Sequence, residues 1–148
     1  MIKHVLVPTD GSELAAKAAT QAIEIARALK AAVTAFHAYP EYHAVVLYEY
    51  VGPIEAINRK DYLAAAKSTA EGYVAAVTNA ARAAGLEAQS VVAASDYPHE
   101  AIIRTARKRK CDLIIMASHG RRGVSGLLLG SVTQKVLTHS RIPVLVVR

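Results

Sequence analysis

The stretch DLIIMASHGRRGVSGLLLGSVTQKVL, residues 112–137, decides the fold. Its first six residues are apolar almost throughout, which is typical of a β-strand covered on both faces. A glycine-rich segment follows, and from about Ser131 the apolar residues recur with helical spacing. A strand, a glycine segment and a helix in this order indicate one unit of a sheet whose parallel strands are connected by helices.

The rest of the chain continues this alternation. Further strands are predicted at residues 2–7, 32–38, 87–93 and 143–147. Helices are predicted from Ser12 to about Lys30, from about Ile57 to Ala84, and from Pro98 into the basic run at 104–110. We therefore expect an α/β protein of the Rossmann-like type, with one open five-stranded parallel sheet in the order 3-2-1-4-5 and helices on both faces. The absence of repeats or linkers predicts a single domain over residues 1–148.

Composition places the chain among compact proteins. Its 148 residues are 53% hydrophobic and 20% charged, and no apolar stretch approaches the roughly 20 residues of a membrane span. The opening MIKHVLVPTDG has too short an apolar run for a signal peptide, so we expect a cytoplasmic protein. Cys111 is the only cysteine, which excludes an internal disulfide and indicates an inert thiol near a strand end.

The net charge of +6 favours anionic partners without naming one. Much of it comes from RTARKRK, residues 104–110, at the expected C-terminal end of a helix, where cations complement the helix dipole. No aromatic residue is interleaved with these side chains to stack on bases, so we expect no nucleic-acid partner.

Two loops are equipped to bind a ligand where the strand order reverses. The first is VPTDGS, residues 7–12, in which Asp10 can accept hydrogen bonds from ribose, help to hold a metal ion, or simply close an Asx-turn. The second is the glycine segment, where Gly120, Gly123 and Gly130 permit close approach to main-chain N–H groups, while Arg121 and Arg122 add positive charge. Ser131 stands at a helix start, where it either caps the helix or contacts a phosphate.

The sequence lacks the motifs of several common functions. Leu129 and Gly130 precede Ser131 where a Walker loop needs lysine, and neither GxGxxG after the first strand nor GxSxG is present. The six histidines show no metal-ligand spacing, and we interpret each as a packing or surface residue. No catalytic constellation is found, and we predict no catalytic residue and no resident metal site.

The connection 39–56 is long for a link between a strand and a helix, and it holds four of the seven tyrosines: Tyr39, Tyr42, Tyr48 and Tyr50. The sequence leaves three roles possible for this connection: a lid over a ligand, a flap that binds a partner, or a packed surface loop.

The sequence resembles the universal stress protein family over essentially its whole length. The resemblance is carried by IKHVLVPTDGS, FHAY, IIMASHG and the closing IPVLVVR. ATP-binding members of that family carry G-x2-G-x9-G-[S/T], and this chain matches it as Ala117-x2-Gly120-x9-Gly130-Ser131, with alanine in place of the first glycine. We expect alanine to be tolerated, provided that φ at Ala117 is negative.

The resemblance implies an adenosine-nucleotide site. Pro8 and Thr9 would line the adenine pocket, Asp10 the ribose, the main chain of Ala38 would meet the adenine edge, and Met116 and Ala117 would pack near base and ribose. Phosphates would lie against Gly120, Gly130, Ser131 and the Val132 amide, with Arg121 nearby.

The resemblance also implies a regulatory, stress-response ATP-binding protein, with Mg²⁺ or Mn²⁺ accompanying the nucleotide and at most slow hydrolysis or autophosphorylation. It further implies a homodimer through the C-terminal strand, residues 143–147. The alternative is a nucleotide-free dimeric interaction module of the same fold.

Overall fold

The computed structural model describes residues 1–42, 59–120 and 129–148. Within these ranges strands and helices alternate as predicted, most of them within one or two residues of the predicted bounds. The elements are β1 (His4–Pro8), α1 (Glu13–Leu29), β2 (Ala32–Tyr39), α2 (Arg59–Ala83), β3 (Ala88–Ala94), α3 (Pro98–Lys108), β4 (Leu113–Ala117), α4 (Ser131–His139) and β5 (Val144–Val147).

The strands form one five-stranded sheet in the order β3-β2-β1-β4-β5, and all four pairings are parallel. The predicted order is therefore confirmed. The central strand β1 pairs with β2 on one side, where Val5 lies beside Val33, and with β4 on the other, where Val5 lies beside Leu113. The chain thus reverses direction across the sheet between β1 and β4, and the carboxyl ends of these two strands flank the switch point.

Two of the described helices cover each face of the sheet. Successive residues of a strand point to opposite faces, so each face has its own apolar cluster. Val5, Val33 and Ile115 pack with residues of α1 and α2 on one face. Leu6 and Ile114 pack with α3 and α4 on the other. Helices on both faces are therefore confirmed.

Helix ends follow local chemistry. The Ser12 hydroxyl accepts from the Ala15 N–H at 3.2 Å and caps α1, as predicted. Gly85, at φ +80°, follows α2 and supplies the left-handed residue that ends it. Helix α3 begins at Pro98, as predicted, and its N-cap is Tyr97.

Cys111 lies two residues before β4, and its side chain is buried. Burial, with a smaller contribution from the charge of Asp112, raises the pKa of the Cys111 thiol to about 11. Such a thiol is un-ionised at neutral pH, in agreement with the inert residue expected from the sequence. None of the described helices is long and apolar enough to cross a membrane.

Candidate functional site

A cleft opens at the carboxyl edge of the sheet, above the switch point. It consists of a cavity of about 900 Å³ and an adjoining cavity of about 200 Å³. The two share lining residues, among them Asp10, His37 and Gly120. The cleft therefore draws on the segments that follow β1 and β4 and on the end of β2, which sequence reasoning had placed together.

The smaller cavity is mostly apolar. Its walls include Phe36, Ile102 and Met116, together with Pro8 and Ala117 at the ends of β1 and β4. A flat, largely apolar ring suits such walls, with the few polar groups at the edges available to orient it.

The loop after β1 is held in one conformation by its own polar groups. The Asp10 carboxylate accepts from the Ser12 N–H at 3.0 Å, and the Thr9 hydroxyl accepts from the Gly11 N–H at 3.3 Å. Gly11 has φ +75°, and a β-carbon there would overlap the ring of Tyr73. Asp10 lines both cavities as well, so the Asx-turn and a ligand-facing carboxylate occur together rather than as alternatives.

A β-carbon would be crowded at two glycines of the resemblance motif. A β-carbon on Gly120 would overlap the Asp10 carboxylate. A β-carbon on Gly130 would lie 3.1 Å from Cα of His119 and 3.4 Å from the Ser118 carbonyl oxygen, to which the Gly130 N–H donates at 2.7 Å. Glycine at both positions allows a close approach of the main chain and forms a narrow cradle, in which the Gly130 N–H is already bonded to the Ser118 carbonyl.

Helix α4 begins at the wall of this cradle. Its N-cap is Gly130, with φ −72° and ψ 156°, and no side chain caps it. Of the two roles left open for Ser131, capping is therefore wrong, because Gly130 is the N-cap and Ser131 is the first residue of the helix. Gly130, Ser131 and Val132 line the larger cavity, which places the positive end of the helix dipole against it.

Ala117 is the last residue of β4 and lies beside Val147. Its φ is not positive, as the tolerance of alanine requires. The Ala117 carbonyl accepts from the buried Thr133 hydroxyl at 2.9 Å, which ties the first turn of α4 to the end of β4.

The structure brings ten of the eleven predicted site residues to the walls of these two cavities. They are Pro8, Thr9, Asp10, Ala38, Met116, Ala117, Gly120, Gly130, Ser131 and Val132. Arg121 lies outside the described residues, as do Arg122 and Gly123 of the glycine segment and most of the tyrosine-rich connection.

Sequence reasoning missed the aromatic side of the cleft. His37 lines both cavities, and Tyr62 and Tyr73 from α2 line the larger one. The His37 and Tyr73 rings meet edge to face, with centroids 5.2 Å apart and planes at 82°. A signal did exist for His37, because it shares a strand face with Val33 and Ala35 and stands where that face reaches the carboxyl edge. The place of Tyr73 becomes visible only in the structure, where its ring packs against Gly11. His119, also interpreted as a packing or surface residue, lines both cavities too.

Among the described residues, no group of three or more histidine, cysteine, aspartate or glutamate side chains is arranged to hold a metal ion.

The model of the universal stress protein family matches residues 1–148. The chain belongs to the universal stress protein family.

Three family members match this chain over nearly the full length of both chains. A universal stress protein of Thermus aquaticus is 35% identical over 151 residues, which span all of both chains. The solved structure of MJ0577, from Methanocaldococcus jannaschii, is 28% identical with a TM-score of 0.79, covering 99% of this chain and 96% of the other. A universal stress protein solved in complex with cAMP is 25% identical with a TM-score of 0.68, covering 99% and 97%.

Proposed function

We propose that this universal stress protein binds ATP in the cleft at the carboxyl edge of the sheet and acts as a nucleotide-dependent regulator in a stress response. The observation that carries the proposal is the contact between Gly120 and Asp10, which joins a carboxylate loop and a glycine cradle in one site. A carboxylate suits ribose hydroxyls, and main-chain N–H groups at a helix start suit phosphate.

The residues present fit such a ligand. The adenine ring would enter the smaller cavity between Pro8, Thr9 and Met116, with its edge toward the main chain of Ala38, and the ribose would lie by Asp10 and Ala117. The phosphates would occupy the cradle of Gly120 and Gly130 and the N–H groups of Ser131 and Val132. Arg121 enters this assignment through the family resemblance alone.

A Mg²⁺ or Mn²⁺ ion would arrive with the nucleotide and screen the phosphate charge. The residues of this chain would orient the ligand and exclude water from its base. We expect regulation by binding, with at most slow hydrolysis or autophosphorylation.

The comparisons support an adenine nucleotide as the class of ligand. A family member with 25% identity to this chain has been solved with cAMP, which shares the adenine and ribose of ATP. The choice of ATP over other adenine nucleotides rests on the match to the family's ATP-binding motif at Gly120, Gly130 and Ser131. A cytoplasmic location and the absence of nucleic-acid partners stay predictions.

Calorimetric titration with ATP, ADP, AMP and cAMP, each with and without Mg²⁺, tests the proposal. Gly130→Asp and Gly130→Asn form a matched pair, since both add a side chain of the same size where a β-carbon is tightly placed, and only aspartate adds charge. Both side chains are good N-caps, so α4 should form in each. We expect Gly130→Asp to weaken ATP binding at least about tenfold more than Gly130→Asn, because its carboxylate repels phosphate.

No heat and no thermal stabilisation at millimolar nucleotide would overturn the proposal. That result would favour the alternative of a nucleotide-free dimeric module.

One observation favours dimerisation under either hypothesis: β5 is an edge strand of the described sheet, and Leu145 on it is 39% exposed. We propose that β5, within residues 143–147, pairs with its counterpart in a second copy, because an apolar edge strand is stable in water only when covered.

A further inference from the structure

The surroundings of His37 determine which of its ring nitrogens carries the proton. Its Nδ1 lies 2.6 Å from the carbonyl oxygen of Thr9. A carbonyl oxygen only accepts hydrogen bonds, so Nδ1 carries the proton and donates. The neutral ring is therefore the Nδ1–H tautomer, and its Nε2 is a hydrogen-bond acceptor.

The ring of His37 is also fixed in orientation. Its edge-to-face contact with Tyr73 and its bond to Thr9 hold it from two elements, α2 and the end of β1. The side chain is half-buried and lines both cavities, and Nε2 is the ring nitrogen left to meet a ligand there. An oriented ring with a single tautomer can distinguish a donor from an acceptor on the molecule beside it.

Neighbouring polar side chains have other tasks. The Thr9 hydroxyl accepts from the Gly11 N–H, and the Thr133 hydroxyl donates to the Ala117 carbonyl. The Asp10 carboxylate accepts from the Ser12 N–H. His37 therefore offers the cleft a neutral acceptor, whereas Asp10 offers a charged one.

We propose that Nε2 of His37 accepts a hydrogen bond from the bound nucleotide and is a specificity-determining contact of this site. The inference rests on the proposed function and adds a requirement to it: the ligand must present a donor at this point. Two groups of an adenine ribonucleotide qualify, the exocyclic amino group of the base and a ribose hydroxyl. A ligand with an oxo group or no polar group at that point leaves Nε2 unpaired, which disfavours it.

Two substitutions separate the nitrogens of the ring. In His37→Asn, the amide nitrogen lies near the position of Nδ1, so the bond to the Thr9 carbonyl is retained and Nε2 is lost. In His37→Gln, the longer side chain places its amide oxygen near the position of Nε2, so an acceptor is retained. Both variants lose the ring and its contact with Tyr73, and each therefore controls for the other.

The experiment is calorimetric titration of the wild type and both variants in the same buffer. The titrants are ATP, inosine triphosphate, which has an oxo group in place of the amino group, and the 2′-deoxy and 3′-deoxy forms of ATP. We expect the wild type to prefer ATP to inosine triphosphate, or to one deoxy form, by about tenfold. His37→Asn should reduce that preference to about twofold or less, and His37→Gln should keep most of it. If the preference for ATP over inosine triphosphate is lost, the donor is the amino group. If the preference over a deoxy form is lost, the donor is the hydroxyl that this form lacks.

The inference is overturned if ATP binds to His37→Asn with every preference of the wild type unchanged. It is also overturned if nitrogen NMR shows that the proton of the neutral His37 ring is on Nε2. Failure of all nucleotides to bind to the wild type is a different result, because it removes the proposed function itself.

Discussion

Gly120 and Asp10 lie in direct contact across the mouth of the cleft, so closely that a β-carbon on Gly120 would overlap the Asp10 carboxylate. The two residues follow β4 and β1, the neighbouring strands at the switch point. The carboxylate in turn accepts from the Ser12 N–H. The position of Asp10 therefore depends on the absence of a side chain at Gly120.

This contact predicts the effect of one methyl group. Gly120→Ala should displace the Asp10 carboxylate and weaken ATP binding by about tenfold or more, which is about 1.4 kcal/mol. Gly72→Ala is the matched control, because a β-carbon at Gly72 meets nothing within 4 Å in the middle of α2. It should leave binding unchanged and stabilise the helix by about 0.5–1 kcal/mol. Calorimetry and urea unfolding of both variants check this, and equal affinities in the two would contradict it.

The buried hydrogen bond of Thr133 predicts that its hydroxyl contributes more to the free energy of unfolding than the hydroxyl of Thr138, which lies on the same helix. Thr133→Val removes its buried bond to the Ala117 carbonyl and should lower the free energy of unfolding by about 1–3 kcal/mol. Thr138→Val is the control, since Thr138 is exposed and its hydroxyl bonds only within α4, to the Gln134 carbonyl. A loss of less than about 0.5 kcal/mol is expected there. Urea unfolding measures both, and similar losses would show that the tie between α4 and β4 is unimportant.

The hydrogen bonds of Asp112 predict that the protein loses stability as the pH falls. Its carboxylate accepts from the N–H groups of Lys3 at 2.7 Å and His4 at 3.0 Å, and the bond from Lys3 is the main cause that holds the pKa of Asp112 below its ordinary value of 3.8. A carboxyl whose pKa is depressed on folding stabilises the protein above its unfolded pKa, and that stabilisation is lost as pH falls through the folded pKa. Asp112→Asn should therefore lose stability near neutral pH and show a flatter decline below about pH 4.

Urea unfolding between about pH 2.5 and 7 measures this dependence. Glu24→Gln removes one negative charge from an exposed position of α1 and serves as the control. A decline below pH 4 that is as steep in Asp112→Asn as in the wild type would contradict the assignment.

The edge strand β5 predicts that one of two equally exposed leucines controls assembly. Leu145 on β5 is 39% exposed and Leu137 on α4 is 40% exposed. If the strands of two copies pair through β5, Leu145→Lys should shift the protein to the monomer, and Leu137→Lys should not. Light scattering after size-exclusion chromatography distinguishes the two. A wild-type monomer at all concentrations, or equal behaviour of the two variants, would exclude this interface.

The sequence was sufficient for the features that depend on local pattern. Strand periodicity and the alternation with helices gave the parallel sheet, and the spacing from Ala117 to Ser131 named residues that do line the cleft. The roles of His37 and Tyr73 depend on contacts between β2, α2 and the loop after β1, and no spacing within one element encodes them. For Ser131 the sequence left capping and phosphate contact open, because serine favours the N-cap position, and the structure shows that Gly130 is the N-cap of α4 instead.

Ala117 predicts that the first glycine of the motif is not required in this chain. Its φ is not positive, so glycine offers no conformational advantage, and its side chain is buried at the wall of the smaller cavity. Ala117→Gly should leave ATP affinity within about twofold of the wild type and lower the free energy of unfolding by about 0.5–1 kcal/mol, because glycine loses more conformational freedom on folding than alanine does. Calorimetry and urea unfolding measure the two effects separately. An affinity gain of tenfold or more would instead mean that the methyl group obstructs the ribose, and that the substitution tunes this protein toward weaker nucleotide binding.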